Sequence, residues 1–91
     1  MSIEERLYSA GFEDVVYFPD YDEECIVGID SNNRAIYSFE KMIRSLMNDG
    51  MDDMDAIEWI EYNTIRALPY IDNQTDGHAP IIMYDADWLG L

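Results

Sequence analysis

The stretch RAIYSFEKMIRSLMNDG, residues 34–50, changes from the pattern of a strand to that of a helix within a few positions. Its first four residues follow the turn-forming cluster DSNN at residues 30–33, and we predict that they form a strand. Ser38 is suited to cap a helix, and apolar residues then recur at the i, i+3, i+4, i+7 spacing of one helical face. The apolar positions of this face are Phe39, Met42, Ile43, Leu46 and Met47. Gly50 is expected to end the helix at its C′ position.

Two further strands are predicted upstream of this stretch. VVYF, residues 15–18, is rich in residues that favour strands and is followed by a proline; CIVGI, residues 25–29, forms the second strand. Closer to the N-terminus, Ser2 and Glu5 have the spacing of a capping box, and they open a short helix that ends at Gly11. Three short strands joined by tight turns indicate an antiparallel meander.

A second helix and a final strand are predicted downstream. Asp52 is suited to cap the helix, and Pro69 is expected to stop it. The apolar stripe of this helix is formed by Ile57, Ile60, Thr64 and Leu68. Residues 72–79 are polar and read as a loop, and PIIMY, residues 80–84, is expected to add a strand to the sheet.

The predicted order of elements is α-β-β-β-α-α-β, which indicates an α+β fold. In this fold, an antiparallel sheet of about four strands is covered on one face by a helical hairpin. The length of 91 residues fits one domain, residues 1–91.

The charge of the chain excludes several classes of function. Twenty acidic residues stand against five basic ones, for a net charge of −15, and this charge repels nucleic acids and anionic membrane surfaces. Cys25 is the only cysteine, so no intramolecular disulfide and no CxxC motif can form. The N-terminal sequence lacks the basic and apolar regions of a signal peptide, and we expect a cytoplasmic location in whichever cell makes the chain.

Metal binding and catalysis have little support in the sequence, and no cofactor is expected. Asp20 could begin a calcium loop, but such a loop needs glycine at its sixth position and glutamate at its twelfth, where Cys25 and Ser31 stand. His78 is the only histidine, so it and the cysteine are the only candidate soft ligands for zinc. No nucleophile, phosphate-loop or HExxH motif accompanies His78, and the chain is expected not to be an enzyme.

Acidic residues collect in three places, residues 19–24, 49–61 and 72–87, and the first two raise the question of function. In NDGMDDMDAIEWIEY, residues 48–62, the acids near the helix start are explained by capping and by the helix dipole; these are Asp52, Asp53 and Asp55. Glu58 and Glu61 lie beyond the first turn, where that explanation does not apply. The second run, residues 19–24, contributes Asp20, Asp22, Glu23 and Glu24. Both runs are consistent with a solvated face, and equally with a surface that meets a basic partner.

Two polar residues interrupt the second helix, and some aromatic residues fall outside the predicted core. Asn63 and Thr64 are poor helix formers, which indicates specific hydrogen bonds at this turn. We expect Thr64 to bond back to a helix carbonyl and Asn63 to tie the helix to a neighbouring loop; a role in binding is the alternative. The aromatic residues least committed to the core are Tyr62, Tyr70 and Trp88.

Three segments carry a resemblance to known proteins. GFEDVVYF (residues 11–18), DAIEWIEYNTIRALPY (55–70) and PIIMYD (80–85) together resemble a family of small acidic, uncharacterised proteins of Gram-positive bacteria, their phages and mobile elements. In size, acidity and lack of catalytic motifs the chain is also similar to phage anti-defence proteins, including anti-CRISPR proteins. The resemblance implies an inhibitor and supplies no catalytic residue.

Two hypotheses follow from the sequence. The first is a non-enzymatic, DNA-mimicking protein that presents a negative face to a basic protein surface, namely that of a nucleic-acid-binding host defence enzyme. The residues assigned to this face are Asp20, Asp22, Glu23, Glu24, Asp49, Asp52, Asp53, Glu58, Glu61 and Tyr62. The second is a small assembly module that forms a homodimer through an edge strand or an aromatic patch, with charge serving only solubility.

Overall fold

The computed structural model describes residues 2–91 and has an α+β architecture with a mixed three-stranded sheet. The strands are β1 (Ile26–Ile29), β2 (Ala35–Ser38) and β3 (Ile81–Met83). The helices are α1 (Ile3–Ser9), a 3-10 helix (Glu23–Cys25), α2 (Phe39–Asn48), α3 (Asp53–Trp59), a π-helix (Ile60–Ile65), α4 (Leu68–Gln74) and α5 (Ala86–Leu89). The α+β class predicted from the sequence is confirmed, while several details of the sheet are corrected below.

The sheet has the order β1-β2-β3, with β2 in the centre. β1 and β2 are antiparallel, as predicted, with a register shift between Ile26 and Gly28. β3 pairs with β2 in parallel, so the prediction of a wholly antiparallel sheet is wrong. The physical reason is the helical connection between the two strands, because a long crossover can return the chain to the sheet in the same direction, which a tight hairpin cannot.

The predicted strand at residues 15–18 is also wrong, since no strand forms there. Phe18 is 7% exposed, and its backbone N–H donates to the Tyr37 hydroxyl at 2.9 Å instead of to a neighbouring strand. The strand-favouring residues of this segment therefore contribute by burying their side chains and not by pairing in the sheet. β-propensity largely reflects such burial. In addition, Cys25 ends the 3-10 helix, so β1 begins one residue later than predicted.

The transition from strand to helix at Ser38 occurs as predicted. Ser38 is fully buried and caps α2 by accepting a hydrogen bond from the Lys41 N–H at 3.2 Å. Its hydroxyl also lies 2.7 Å from Asp85 Oδ2, to which it donates, and the Asp85 carboxylate accepts from the Glu40 N–H at 3.1 Å. The chain after β3 is thereby attached to the start of α2.

Replacing Ser38 with alanine is expected to lower the free energy of unfolding by about 2 kcal/mol. The change removes the cap on the Lys41 N–H and takes one hydrogen-bond donor from the Asp85 carboxylate. Urea unfolding measures the loss, and Ser31→Ala, at an exposed turn position, serves as the control, with an expected change below about 0.5 kcal/mol. Equal midpoints for the two variants would contradict the assignment.

The helix ends agree with the sequence in one case and depart from it in another. Gly50 has φ +107°, and the Met51 N–H bonds to the Leu46 carbonyl at 3.2 Å, which is the glycine-dependent termination predicted for α2. Pro69 lies in the first turn of α4, where proline is tolerated because the N–H it lacks would have no helical partner. Residues 72–74 are therefore helical, and the predicted loop begins later.

The core is built around β2 and α2. Tyr37, Phe39, Met42 and Ile60 are among the largest fully buried side chains. Of the predicted apolar face of α2, Met47 is the exception, with 44% of its surface exposed. α2 contacts β2, α3 and the 3-10 helix, so the sheet and both acid-rich parts of the chain meet along this one helix.

Candidate partner-binding surface

The two acid-rich runs lie on segments that are close in space. We define the acidic segments as residues 20–24 and residues 49–61. In the first acidic segment, Tyr21 points into the core and is 8% exposed, whereas Asp20 and Asp22 are exposed. Cys25, directly after the segment, is also in the core and is 2% exposed. The Asp22 N–H donates to Ser45 Oγ on α2 at 3.1 Å, which fixes the backbone of the first segment against that helix.

The second acidic segment begins as the sequence predicts. The Asp52 carboxylate accepts a hydrogen bond from the Asp55 N–H at 2.8 Å, so its role as a helix cap is confirmed. Asp53 and Asp55 lie in the first turn of α3, where their charge complements the unpaired backbone N–H groups. Glu58 and Glu61 are exposed beyond that turn, and capping does not account for them.

The helix changes from α to π geometry where the two polar residues occur. Within the π-helix, the Arg66 N–H bonds to the Glu61 carbonyl at 3.2 Å, one residue further back than in an α-helix. Asn63 Nδ2 donates to the Trp59 carbonyl at 3.1 Å, whereas Thr64 Oγ1 bonds to the Tyr21 hydroxyl at 2.6 Å. The sequence therefore located the hydrogen bonds correctly, but the two residues exchange their expected roles.

Tyr21 joins the two acidic segments. Its hydroxyl bonds to Thr64, and its ring lies edge-on to the Trp59 ring with centroids 6.1 Å apart. Tyr21 lies between Asp20 and Asp22 in the chain, so its contacts attach the backbone that carries these two residues to the helix that carries Glu58 and Glu61. Tyr21 and Thr64 are 43 positions apart, so local sequence patterns do not predict this contact.

Nine of the ten residues assigned to the negative face are exposed, and Glu23 is partly buried. The exposed ones are Asp20, Asp22, Glu24, Asp49, Asp52, Asp53, Glu58, Glu61 and Tyr62. Among residues 2–91, the two ion pairs are Arg34 with Asp72 and Arg44 with Glu40, so none of the nine assigned carboxylates takes part in one. The charge of these carboxylates is therefore not neutralised by an ion pair, although Asp52 and Asp53 also accept backbone hydrogen bonds at the start of α3.

Basic residues nevertheless modify part of this surface. Lys41 and Arg44 line a cleft of about 190 Å³ together with Asp22 and Glu24 of the first acidic segment. The Arg66 guanidinium lies 5.3 Å from the centre of the Tyr62 ring, in a cation–π contact. The first segment is therefore partly balanced by α2, a neighbourhood that spacing along the chain did not reveal.

Burial affects the protonation of three core side chains near the first segment. Burial raises the pKa of Tyr21 and of Tyr37 from 10.0 to about 12, and that of Cys25 from 9.0 to about 11. For the cysteine, the nearby Asp22 carboxylate acts in the same direction. The Cys25 thiol is thus buried and kept protonated, which does not suit a nucleophile.

These shifts predict that the protein becomes less stable at alkaline pH. All three groups hold their protons more tightly when folded, so their contribution to stability is constant below about pH 8 and falls as pH rises through the interval between the unfolded and folded pKa values. Denaturant midpoints measured between about pH 8 and about pH 11 should decline. The decline should be shallower in Tyr21→Phe and unchanged in Tyr70→Phe, since Tyr70 is exposed. A midpoint independent of pH would contradict the prediction.

His78 occupies a local structural position. Its Nδ1 lies 2.7 Å from the Thr75 carbonyl oxygen, and its backbone N–H donates to Thr75 Oγ1 at 3.2 Å. Within residues 2–91, no group of three or more histidine, cysteine or acidic residues is arranged to hold a metal ion. In the same part of the chain, no helix is long and apolar enough to cross a membrane.

The chain matches no family model, no curated protein and no solved structure.

Proposed function

We propose that the chain is a non-enzymatic binding protein that places its acidic segments in the basic groove of a nucleic-acid-binding protein, where it competes with DNA. The observation that supports this proposal is the junction at Tyr21, which brings two carboxylate-rich segments with no internal ion pairs next to each other. DNA presents a dense row of phosphates, and a groove that neutralises them also attracts closely spaced carboxylates.

The chemistry of the surface favours a rigid mimic over a flexible acidic tail. Residues 20–24 are held by the bonds of Tyr21 to Thr64 and of the Asp22 N–H to Ser45, and residues 53–61 belong to a helix. Acids held in fixed positions lose less side-chain and backbone freedom on binding than acids on a disordered chain. The resemblance to phage anti-defence proteins leads us to propose a bacterial host defence enzyme as the target, in a cytoplasmic setting.

Capture of the target with and without DNA tests the proposal. The immobilised chain is exposed to a lysate of a bacterial host, and captured proteins are tested for release by excess duplex DNA and by salt. We expect a DNA-binding protein whose capture is lost with DNA and falls steeply between about 50 and about 500 mM salt. If neither DNA nor salt reduces the amount of captured protein, the proposal is wrong.

A homodimeric assembly module is the second candidate, and a specific apolar patch favours it. At the end of the edge strand β3, Tyr84 and Trp88 pack against Phe39 with ring centroids 5.0 and 4.9 Å away, yet they remain 49% and 41% exposed. Leu89 and Leu91 lie nearby in the chain and are 51% and 88% exposed. Contiguous exposed apolar residues of this kind can mark an interface.

The two candidates respond to salt in opposite directions. A dimer of chains that each carry a charge of −15 is opposed by electrostatic repulsion, so screening should strengthen it. Binding to a basic partner should weaken under the same conditions. Light scattering across a salt series therefore separates the two: a molar mass that doubles with added salt supports the assembly module, and a constant monomer mass contradicts it.

A further inference from the structure

A groove outside the acidic segments combines carboxylates with aromatic rings. Glu4, Glu5 and Tyr8 of α1 line one side, and Phe12 and Tyr17 of the following segment line the other, around a volume of about 540 Å³. Tyr8 is 67% exposed, whereas Phe12 and Tyr17 are partly buried. The volume is within the range of sites that hold a ligand or several residues of a peptide.

The groove carries negative charge without compensation from its own lining. Within residues 2–91, its charged residues are Glu4, Glu5 and Asp14, and none of its lining residues is basic. Arg6 belongs to the opposite side of α1, where it lines a separate cleft with Leu7. Burial raises the pKa of Tyr17, and the Glu4 carboxylate adds to the effect, so this carboxylate acts on the aromatic wall of the groove.

The groove continues towards the first acidic segment. A second cleft, of about 450 Å³, shares Glu4 and Tyr17 with the groove and is also lined by Pro19, Asp22 and Glu23. The two shared residues therefore connect the lining of the groove with that of the second cleft, and both linings combine carboxylates with aromatic rings.

We propose that this groove binds an extended, arginine-containing segment of the basic partner; the proposal rests on the proposed function and specifies the chemistry of the partner. A guanidinium can stack on an aromatic ring while it donates to a carboxylate, and it is more weakly hydrated than an ammonium group. The protein itself contains one such stack, in which Arg66 lies over Tyr62. The volume of the groove suits several residues of an extended chain, and the charge of its lining excludes an acidic chain.

Peptide titration of the full-length chain tests the groove. The probes are an oligoarginine amide and an oligolysine amide of equal length, so that they differ in side-chain chemistry and not in charge. Calorimetry should give tighter binding of oligoarginine. Tyr8→Ala should weaken oligoarginine binding about two- to fivefold and weaken oligolysine binding less, because it removes a ring on which the planar guanidinium stacks and no charge. Tyr70→Ala is the matched control, since Tyr70 is 66% exposed and does not line the groove.

The result can fail independently of the proposed function. The two peptides could bind with equal affinity, or Tyr8→Ala and Tyr70→Ala could have equal effects. Either result would show that net charge alone attracts the peptides, and would overturn the proposal that the groove binds arginine. DNA-sensitive capture of a partner could still be observed in that case, and the proposed function would stand. Conversely, a Tyr8-dependent preference for arginine without any competition by DNA would support the groove and contradict the proposed function.

Discussion

Replacing Tyr21 with alanine is expected to lower the free energy of unfolding by about 3–5 kcal/mol, the range for truncating a large buried aromatic side chain. The side chain is 8% exposed and lies edge-on to Phe18 and Trp59, with ring centroids 5.9 and 6.1 Å away. Truncation leaves a cavity between these rings and removes the partner of the buried Thr64 hydroxyl. Since domains of this kind are stable by about 5–15 kcal/mol, a large share of the total is lost.

Two further variants separate packing from hydrogen bonding at this position. Tyr21→Phe keeps the ring and should cost about 1–3 kcal/mol, because the Thr64 hydroxyl is left buried without its partner. Adding Thr64→Val to Tyr21→Phe should recover part of that loss, since neither polar group then remains unpaired. Denaturant unfolding provides all of these values, with Tyr70→Ala as the exposed control. Identical losses for Tyr21→Ala and Tyr21→Phe would mean that the ring does not pack as described.

Tyr21→Phe should also affect binding, because it loosens the attachment of the first acidic segment. Without the bond to Thr64, residues 20–24 lose one of their attachments to the helix that carries Glu58 and Glu61. Amide hydrogen exchange in this segment should therefore accelerate in Tyr21→Phe more than elsewhere in the chain. Under the proposed function, affinity for the basic partner should fall with it, because binding must then order the segment again.

The sequence predicts the parts of the fold that depend on local chemistry. The cap at Ser38, the helix start at Asp52 and the glycine termination at Gly50 each involve residues within a few positions of one another. Such features follow from hydrogen bonding of the first and last turns of a helix and need no knowledge of the tertiary structure. For the same reason, the sequence predicts correctly that Asp52 caps α3, and that capping does not account for Glu58 and Glu61.

Features that depend on distant contacts were predicted less well. Residues 15–18 have the composition of a strand, but Phe18 bonds to the hydroxyl of Tyr37 and no strand forms. β3 has strand composition and does join the sheet, yet its direction is set by the helical crossover that precedes it. The amino-acid composition of a segment thus predicts that its side chains are buried. Whether the segment pairs with a strand, and in which direction, depends on residues far away in the chain.

The candidate surface divides in the same way. Exposure of the acidic residues could be predicted, whereas the junction of the two segments at Tyr21 and the presence of Lys41 and Arg44 beside Asp22 could not. The exchange of roles between Asn63 and Thr64 could not be predicted either. In the π-helix, the Asn63 side chain donates to the Trp59 carbonyl, and the Thr64 hydroxyl reaches the core-facing Tyr21.

The basic residues of α2 lead to an unequal prediction for the two acidic segments. Glu58→Gln with Glu61→Gln should lower affinity for the captured DNA-binding partner about tenfold, which corresponds to about 1.4 kcal/mol. Asp20→Asn with Asp22→Asn should have a smaller effect, because Lys41 and Arg44 already share the cleft with Asp22. All four residues are exposed, so the free energy of unfolding should change by less than about 0.5 kcal/mol per site.

The matched control is Asp76→Asn with Asp87→Asn, which removes the same charge from exposed positions outside the acidic segments. Affinity is measured by competition with duplex DNA at two salt concentrations. If net charge alone attracts the partner, all three pairs of substitutions reduce affinity equally, and the idea of a shaped negative face is wrong. If the face at α3 and the π-helix is recognised, the glutamate pair has the largest effect and also gives the shallowest dependence on salt, because each lost contact removes part of the electrostatic attraction that salt screens. A larger loss of affinity for the glutamate pair than for the other two pairs would then identify Glu58 and Glu61 as the centre of the binding surface. These are the two acids without a structural role in the helix.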